Sequence, residues 1–446
     1  MTCTFRLLSP PTIPGQTAVM ISSRDPMPRS CAARVGLRVR RCRLKSTKRI
    51  YSMFEKPVLF DSVTLTTFLG FQNNIAARGF ALKEEKASMW PDLRLCDLMK
   101  IRHPIIQAPM AGAATPALAA AVSNAGGLGS LGCAEMSLDQ LRAAAAMLRD
   151  ATDRPFNLNF FIQDAPRTEP AVLEATRQRL APWYSAAGLG APPESLPELG
   201  PCFDDARLAL LLEIRPAVVS FHFGLPAPDA ILALKAAGIV LISTATSVAE
   251  ARALERAGVD AVIAQGYEAG GHRGSHQPTP PGTGVGTMAL IPQVVDAVGV
   301  PVIAAGGIGD GRGIAAAFAL VASGVQMGTA FLSCPEAGTD GPRRARLRHA
   351  TDTDTMVTDA FSGRSARAMR SRYADAMAAR REPLPAFMQM YALTDPLVAA
   401  GPEDEVSFHL YGQAASLNRE LLVPDLMRAL TREATATFEK VSKSAT

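Results

Sequence analysis

A single histidine in a glycine-rich loop is the strongest candidate for chemistry in this chain. The loop Gln265–Gly274 has the sequence QGYEAGGHRG and directly follows the apolar run Ala261–Ala264. Loops at the carboxyl ends of buried strands carry the catalytic residues of α/β enzymes. An imidazole has a pKa near neutrality, so it can accept a proton from carbon or, once protonated, bind negative oxygens. We therefore predict that His272 is catalytic.

Two glycine-rich segments downstream of this loop predict an anion site. The run Val302–Ala305 leads into Gly306–Gly311, and Val325–Met327 leads into Gly328-Thr329. Glycine lets a backbone approach a ligand closely, and the last two strand ends of a barrel often bind phosphate through backbone N–H groups. A dinucleotide-binding fold would instead need an acidic residue about 20 positions further on, and the chain has Gln326 and its neighbours there.

Other reactive side chains are given structural interpretations. His222 follows the fourth apolar run, and the sequence leaves open whether it lines the same mouth or packs behind it. His276 lies four residues after His272, but the surrounding glycines and prolines argue against the helix that a metal-binding pair would need, so no metal is predicted. Cys133 is interpreted as a buried thiol, and Arg343–Arg348 as an exposed basic helix face.

The elements that must position these residues repeat with a regular rhythm. From Met89 onward, short apolar runs alternate with alanine-rich helical patterns about eight times, which predicts repeated β-α units and a parallel sheet. The length fits the roughly 250 residues of a closed (β/α)8 barrel, a TIM barrel, which is the predicted fold. The predicted strands are Ile105–Ala108, Leu128–Leu131, Phe156–Phe160, Ala217–Phe221, Ile239–Ser243, Ala261–Ala264, Val302–Ala305 and Val325–Met327.

The chain divides into three predicted regions. Residues 1–88 hold 15 Lys and Arg against 5 Asp and Glu and are predicted to be a poorly ordered basic extension. Residues 89–335 are predicted to form the barrel, with an insertion at about 164–205. Residues 336–446 are predicted to be a mostly helical region that covers the barrel mouth together with the insertion.

Composition excludes several function classes. Beyond residue 88 the chain has 31 Lys and Arg against 36 Asp and Glu, so its body is slightly acidic, which argues against nucleic acid as a partner. No apolar run reaches the roughly 18–20 residues that a membrane span needs. The seven cysteines are scattered without a paired motif, which favours a reducing, cytoplasmic compartment.

From about Leu93 to Arg419 the chain resembles the nitronate monooxygenases, formerly called 2-nitropropane dioxygenases, and in particular their bacterial class I. The segments that carry the resemblance are Gln107–Met110, Ser123–Gly129, Asn157–Phe160, Ser220–Gly224, Gln265–Gly274, Ala305–Ile308, Gln326–Phe331 and Tyr411–Ala414. Residues 1–88 lie outside it.

The resemblance implies an FMN enzyme that oxidises alkyl nitronates, such as propionate 3-nitronate, with O2 to a carbonyl compound and nitrite. His272 matches the family's catalytic histidine. The predicted FMN-binding residues are Ala108, Pro109, Met110, Asn159, Gln265, Gly270, Gly271, Gly306, Gly307, Gln326, Met327, Gly328 and Thr329.

Two alternatives remain at this stage. An FMN-dependent NAD(P)H reductase of the same fold, either an enoyl-acyl-carrier-protein reductase or a quinone reductase, shares the glycine-histidine loop. A flavin-binding barrel without activity is the other. The expected partners are a small nitronate and O2, and the sequence leaves the oligomeric state open.

Overall fold

A computed structural model describes residues 89–197, 200, 202–379, 382–402 and 404–444. The predicted extension 1–88 lies outside the described residues. Eleven strands are present in the described part of the chain: β1 Ile105–Gln107, β2 Gly129–Gly132, β3 Phe156–Phe161, β4 Val218–His222, β5 Val240–Ala245, β6 Ala261–Gln265, β7 Gly271–His272, β8 Val302–Ala305, β9 Gly324–Met327, β10 Thr355–Thr358 and β11 Ala366–Met369.

Eight of these strands form one parallel sheet that closes on itself. Their order is β1-β9-β8-β6-β5-β4-β3-β2. The two ends of this order meet through a parallel bridge between Ile106 and Leu128, in which Gln107 N–H donates to the Leu128 carbonyl at 3.0 Å. The closed barrel predicted from the β-α rhythm is therefore confirmed, and all eight carboxyl ends open on one rim.

Helices connect the strands and cover the barrel. Several begin directly at a side-chain cap, such as Ser137 in a capping box with Gln140 and Asp310 bonded to the N–H of Arg312. The helices are α1 Arg94–Met99, α2 Pro116–Asn124, α3 Leu138–Ala151, α4 Pro170–Ala186, α5 Asp205–Ile214, α6 Pro228–Ala236, α7 Val248–Arg256, α8 Thr287–Val295, α9 Gly311–Ala319, α10 Gly341–Arg348, α11 Arg372–Ala378, α12 Gln389–Ala400 and α13 Val423–Ser444. None of these helices is long and apolar enough to cross a membrane.

The interior of the barrel carries a polar network below the rim. Asn157 Nδ2 donates to the hydroxyls of Ser130 at 3.1 Å and Ser220 at 2.9 Å, and Gln107 Oε1 accepts from Ser130 N–H at 2.9 Å. All four side chains are buried. Because buried polar groups need partners, this network fixes the register of β1 to β4 and thereby the height at which Asn159 emerges.

The segments outside the barrel repeat share a core of their own. Leu180 on α4, in the insertion, packs in one cluster with Met390 and Leu393 on α12, and the Tyr184 hydroxyl donates to the Leu393 carbonyl at 2.7 Å. The region after residue 335 also contains an antiparallel ribbon, β10 and β11, that the helical prediction for this region missed. Strand β7, from the loop Gln265–Gly274, pairs with β11 as a third strand.

Candidate active site

One cavity of about 380 Å³ opens at the carboxyl ends of the barrel strands. Every residue that the sequence analysis assigned to catalysis or to the cofactor lines this cavity. They are Ala108, Pro109, Met110, Asn159, Gln265, Gly270, Gly271, His272, Gly306, Gly307, Gln326, Met327, Gly328 and Thr329. A volume of this size accommodates part or all of a drug-sized ligand. Residues far apart in sequence meet here because parallel strands deliver their loops to the same rim.

The loop that carries His272 is held from three sides. Gln265 Nε2 donates to the His272 carbonyl at 3.0 Å, while Gln265 Oε1 accepts from Gly274 N–H at 2.8 Å. His222 Nε2 also bonds to the His272 carbonyl, at 3.1 Å. On the far side, His272 pairs with Ala366 of β11. The Gln265 amide is thus engaged in anchoring the catalytic loop, a role that the sequence analysis did not foresee.

The ring of His272 is connected to a serine from the C-terminal region. His272 Nε2 lies 2.9 Å from Ser362 Oγ, and the Ser362 hydroxyl donates to the Arg364 carbonyl at 3.0 Å. A serine hydroxyl has one hydrogen, so Ser362 must accept from His272 Nε2–H. This assignment leaves the lone pair on Nδ1. The tautomer is therefore set by a loop whose sequence carries no signal that it lies near His272.

Four phenylalanine rings surround the imidazole. The ring centroids of Phe387, Phe408, Phe223 and Phe161 lie 5.2, 6.1, 6.1 and 6.3 Å from that of His272. Burial lowers the pKa of His272 to about 3, with smaller contributions from His222 and Arg364. The ring is therefore neutral at pH 7, which argues against an imidazolium that binds negative oxygens and leaves the free Nδ1 as a weak proton acceptor.

His222 lines the cavity and also supports the loop that carries His272, so both locations that the sequence left open describe it. Its Nε2 donates to the His272 carbonyl, and its Nδ1 lies 3.0 Å from the hydroxyl of Thr244. Burial lowers the pKa of His222 to about 4, against a smaller raising effect of the bond to His272. A neutral Nε2–H tautomer satisfies both contacts.

Glycines let three loops approach each other beside the cavity. A Cβ atom on Gly270 would lie 2.5 Å from the Gly412 nitrogen and 2.6 Å from the Tyr411 carbonyl carbon. Gly306 and Gly307 have φ values of 105° and 72°, which L-residues with side chains rarely adopt. The close approach also brings Thr329 next to these glycines, and its hydroxyl accepts from Gly412 N–H at 2.9 Å. We call the backbone of Gly306, Gly307, Gly328 and Thr329, together with Gly270, the glycine cradle.

These residues fit a bound flavin phosphate and ring. Successive backbone groups at left-handed glycines form concave anion sites, and Gly306-Gly307 has that conformation. Gln326 Oε1 is buried, lines the cavity and has no hydrogen-bond partner among the described residues. A buried amide oxygen without a partner is costly, so it marks a place where a ligand donor is expected. An anion-binding backbone segment and an acceptor without a partner among the described residues, both of which suit a flavin, are therefore present.

Several cavity residues were missed by sequence reasoning. Arg343, predicted to lie on an exposed basic helix face, is half-buried, lines the cavity and contacts Asp340 at 3.2 Å. Arg344 also departs from that prediction, because its guanidinium donates to backbone carbonyls, including that of Ser333 at 2.7 Å. Glu135, Tyr391 and His409 line the cavity as well. Their sequence surroundings contain no motif, so only the fold could bring them there.

Two other interpretations can be compared with the structure. Cys133 is buried, and burial raises the pKa of its thiol to about 12, as expected of an unreactive cysteine. His276 is not in a helix, and its Nε2 lies 3.2 Å from the Thr244 carbonyl. Within the described ranges, no cluster of His, Cys, Asp and Glu is arranged to hold a metal ion.

Comparison with known proteins agrees with this geometry. The family model for nitronate monooxygenase matches residues 93–433. The chain belongs to the nitronate monooxygenase family. Nitronate monooxygenase of Paraburkholderia phytofirmans is 46% identical over 358 residues, which covers 79% of this chain and 97% of the relative. That of Pseudomonas aeruginosa is 44% identical over 347 residues, covering 76% and 98%.

Solved structures of the same fold include a nitroalkane oxidase. The enzyme from Streptomyces ansochromogenes has a TM-score of 0.72 and 38% identity, covering 78% of this chain and 99% of its own. FabK from Thermotoga maritima has a TM-score of 0.61 and 34% identity, covering 79% and 98%. The family match spans the barrel and most of the region after residue 335, so it includes all the cavity residues described above.

Proposed function

We propose that this protein is an FMN-dependent monooxygenase that oxidises alkyl nitronates with O2 to a carbonyl compound and nitrite. The observation that carries the proposal is a half-buried imidazole, His272, with a lowered pKa, in the same cavity as a glycine cradle for one phosphate. Membership of the nitronate monooxygenase family and the likeness to a nitroalkane oxidase support it. One phosphate site matches FMN, whose single phosphate would rest on Gly306, Gly307, Gly328 and Thr329.

Each part of the cavity has a defined task in this proposal. The bound flavin would accept electrons from the substrate and pass them to O2. Gln326 and Asn159 would contact the flavin ring, and the glycine loops would hold its phosphate. A nitronate is already deprotonated at carbon, so His272 would orient it. With a neutral nitroalkane, His272 Nδ1 would accept the carbon-bound proton.

The phenylalanine rings around His272 also have a role in the chemistry. They surround the imidazole with apolar groups, and such surroundings strengthen electrostatic contacts to the substrate. The same apolar surroundings disfavour the charged form of the imidazole. A cytoplasmic location remains a prediction from the cysteine pattern.

The test is aerobic nitrite release by the purified flavoprotein without any nicotinamide. We expect nitrite from propionate 3-nitronate or from a simple alkyl nitronate, with oxygen uptake in parallel. Mixing the protein anaerobically with NADH or NADPH should leave the flavin oxidised. Rapid bleaching by a nicotinamide, together with no nitrite release, would instead assign the protein to the NAD(P)H reductases of the same fold.

A further inference from the structure

Three arginines on and beside the β7–β11 ribbon are buried without a contacting carboxylate. Arg273, Arg364 and Arg367 are each 3% exposed. Arg273 donates to the carbonyls of Gly266 and Gln265, and Arg367 donates to the Tyr267 carbonyl. None of the three forms an ion pair within the part of the chain that the structure describes. The partners of these arginines are backbone carbonyls, side-chain oxygens and aromatic rings. A buried cation without a carboxylate is expensive, so its presence beside His272 points to a use.

Arg364 is the member of this group whose charge acts on both cavity histidines. Its guanidinium carbon is 3.8 Å from the centroid of the Phe223 ring. The Phe223 ring in turn lies 4.7 Å from the ring of His222 and 6.1 Å from that of His272. The carbonyl of Arg364 also accepts the hydroxyl hydrogen of Ser362, which bonds His272. Arg364 is therefore connected to both imidazoles, through the Phe223 ring and, for His272, also through Ser362.

The contacts of Arg364 leave its positive charge largely uncompensated. Nη1 donates to Gln163 Oε1 at 3.0 Å, Nη2 donates to the Ser275 carbonyl, and Nε has no partner among the described residues. The carboxylate that acts on it through space is Glu250. That carboxylate makes no ion pair with the guanidinium and instead accepts from Thr246 N–H and His276 N–H.

We propose that Arg364 is an electrostatic positioning residue that makes this cavity select its nitro substrate as the anion. Its charge attracts the negative oxygens of a nitronate toward the neutral His272. The inference rests on the proposed function for the identity of that anion. Neutral planar molecules of the same size gain much less from the charge, so the cavity distinguishes nitronates from nitroalkanes electrostatically.

The same charge contributes to the low pKa values of the two histidines. Burial is the main reason that the pKa values of His222 and His272 lie at about 4 and 3, and Arg364 lowers both further. The other charged or titratable groups that act on this pair are each other, Arg273 and His276. Removal of the Arg364 charge therefore moves both pKa values upward. An acid limb of kcat/KM that reports His272 would move to higher pH.

Two variants neutralise this charge in different ways. Arg364→Gln removes it, and Gln163→Glu places a carboxylate on Nη1 while the arginine and its other bonds stay. Arg364→Lys keeps the charge. Arg312→Gln, on the exposed face of α9, and Gln293→Glu, exposed on α8, are controls that make the same charge changes elsewhere.

The measurement is the dissociation constant of sodium nitrate, followed through the visible spectrum of the flavin-loaded protein at low salt. Nitrate is a planar anion that is not turned over, and acetamide serves as the neutral planar probe. We expect both neutralising variants to bind nitrate roughly tenfold more weakly, with acetamide unchanged. Arg364→Lys should stay within about threefold of the parent, and both surface controls within about twofold.

Unchanged nitrate binding in Gln163→Glu and Arg364→Gln, with flavin loading intact, would overturn the proposal. If Arg364→Gln fails to fold, nitrate binding by Gln163→Glu tests the proposal. An arginine with a purely structural role would keep its contacts when it gains an ion-pair partner, and nitrate binding would then be unchanged. Nitrate binding requires no turnover. An absence of nitrite release by the parent protein would therefore count against the proposed function alone. Nitrate binding that is equal in the parent and in the two neutralising variants would count against this inference alone.

Discussion

His272 Nε2 lies 2.9 Å from Ser362 Oγ, and this contact joins the loop Gln265–Gly274 of the barrel to the region after residue 335. Ser362 passes its own hydrogen to a backbone carbonyl, so it can only accept from the imidazole. The contact fixes which nitrogen of His272 keeps its lone pair. A tautomer held in this way costs nothing at the moment of reaction.

The first prediction concerns this contact. Ser362→Ala should lower kcat roughly tenfold, the equivalent of one lost hydrogen bond, because Nε2–H loses its acceptor and the ring can rotate. Ser362→Thr should restore most of the rate. Nitrite release at saturating nitronate gives the rates, and flavin absorbance confirms loading. An alanine variant with the parent's kcat would show that the tautomer is fixed by other contacts.

The second prediction concerns His272 itself. His272→Asn should lower kcat by roughly a hundredfold to ten-thousandfold with nitroalkanes, because the proton acceptor is removed. With preformed nitronates the loss should be smaller, since no carbon-bound proton has to be transferred. Parallel assays with a nitroalkane and its nitronate separate the two effects. Equal losses with both substrates would assign His272 to orientation alone.

The third prediction concerns the glycine cradle. Gly270→Ala should weaken flavin binding roughly tenfold to a hundredfold, because its Cβ would lie 2.5 Å from the Gly412 nitrogen and force the loops apart. Gly341→Ala is the matched control, since its Cβ would meet no atom within 4 Å. Equilibrium dialysis of the flavin-free proteins measures the change. Full flavin affinity in Gly270→Ala would remove Gly270 from the predicted cofactor site.

The fourth prediction concerns acid stability. His222 and His272 have folded-state pKa values of about 4 and 3, below the value near 6.5 of an unfolded chain. Between these values the unfolded state binds more protons than the folded state. The stability that these histidines contribute is therefore complete above pH 6.5 and is lost as the pH falls toward 4.

Each of these two histidines should contribute a slope of up to about 1.4 kcal/mol per pH unit in this window. Urea unfolding of the flavin-free protein at several pH values between 4.5 and 7 measures it. His222→Gln should reduce the slope, whereas His349→Gln, at an exposed position, should leave it unchanged. The same slope in His222→Gln and the parent would contradict the assignment.

The fifth prediction concerns the basic extension. The family match begins at residue 93, and the cavity residues all lie beyond it. Removal of residues 1–88 should therefore leave flavin content and nitrite release unchanged. The truncated and full-length proteins can be compared by visible absorbance and by the nitronate assay. A colourless or insoluble truncated protein would show that the extension is needed for the fold.

The sequence by itself determined the barrel and the inner half of its cavity. Strand residues such as Ile105, Val219 and Ile303 are buried on a regular β-α rhythm, and that rhythm is local, so it can be detected without coordinates. The glycine segments at 270–271, 306–307 and 328 follow strands directly. Because parallel strands share one rim, their position along the chain is enough to bring them together.

Only the tertiary structure decided what surrounds His272. Ser362, Arg364 and Phe387 come from the region after residue 335, about 90 residues or more beyond the loop, and no sequence period relates them to it. The β7–β11 pairing brings Ser362 and Arg364 close to His272. Phe387 directly precedes α12, which packs against α4. The pKa of His272 depends on this burial, so its neutral state could not be known from residue types alone.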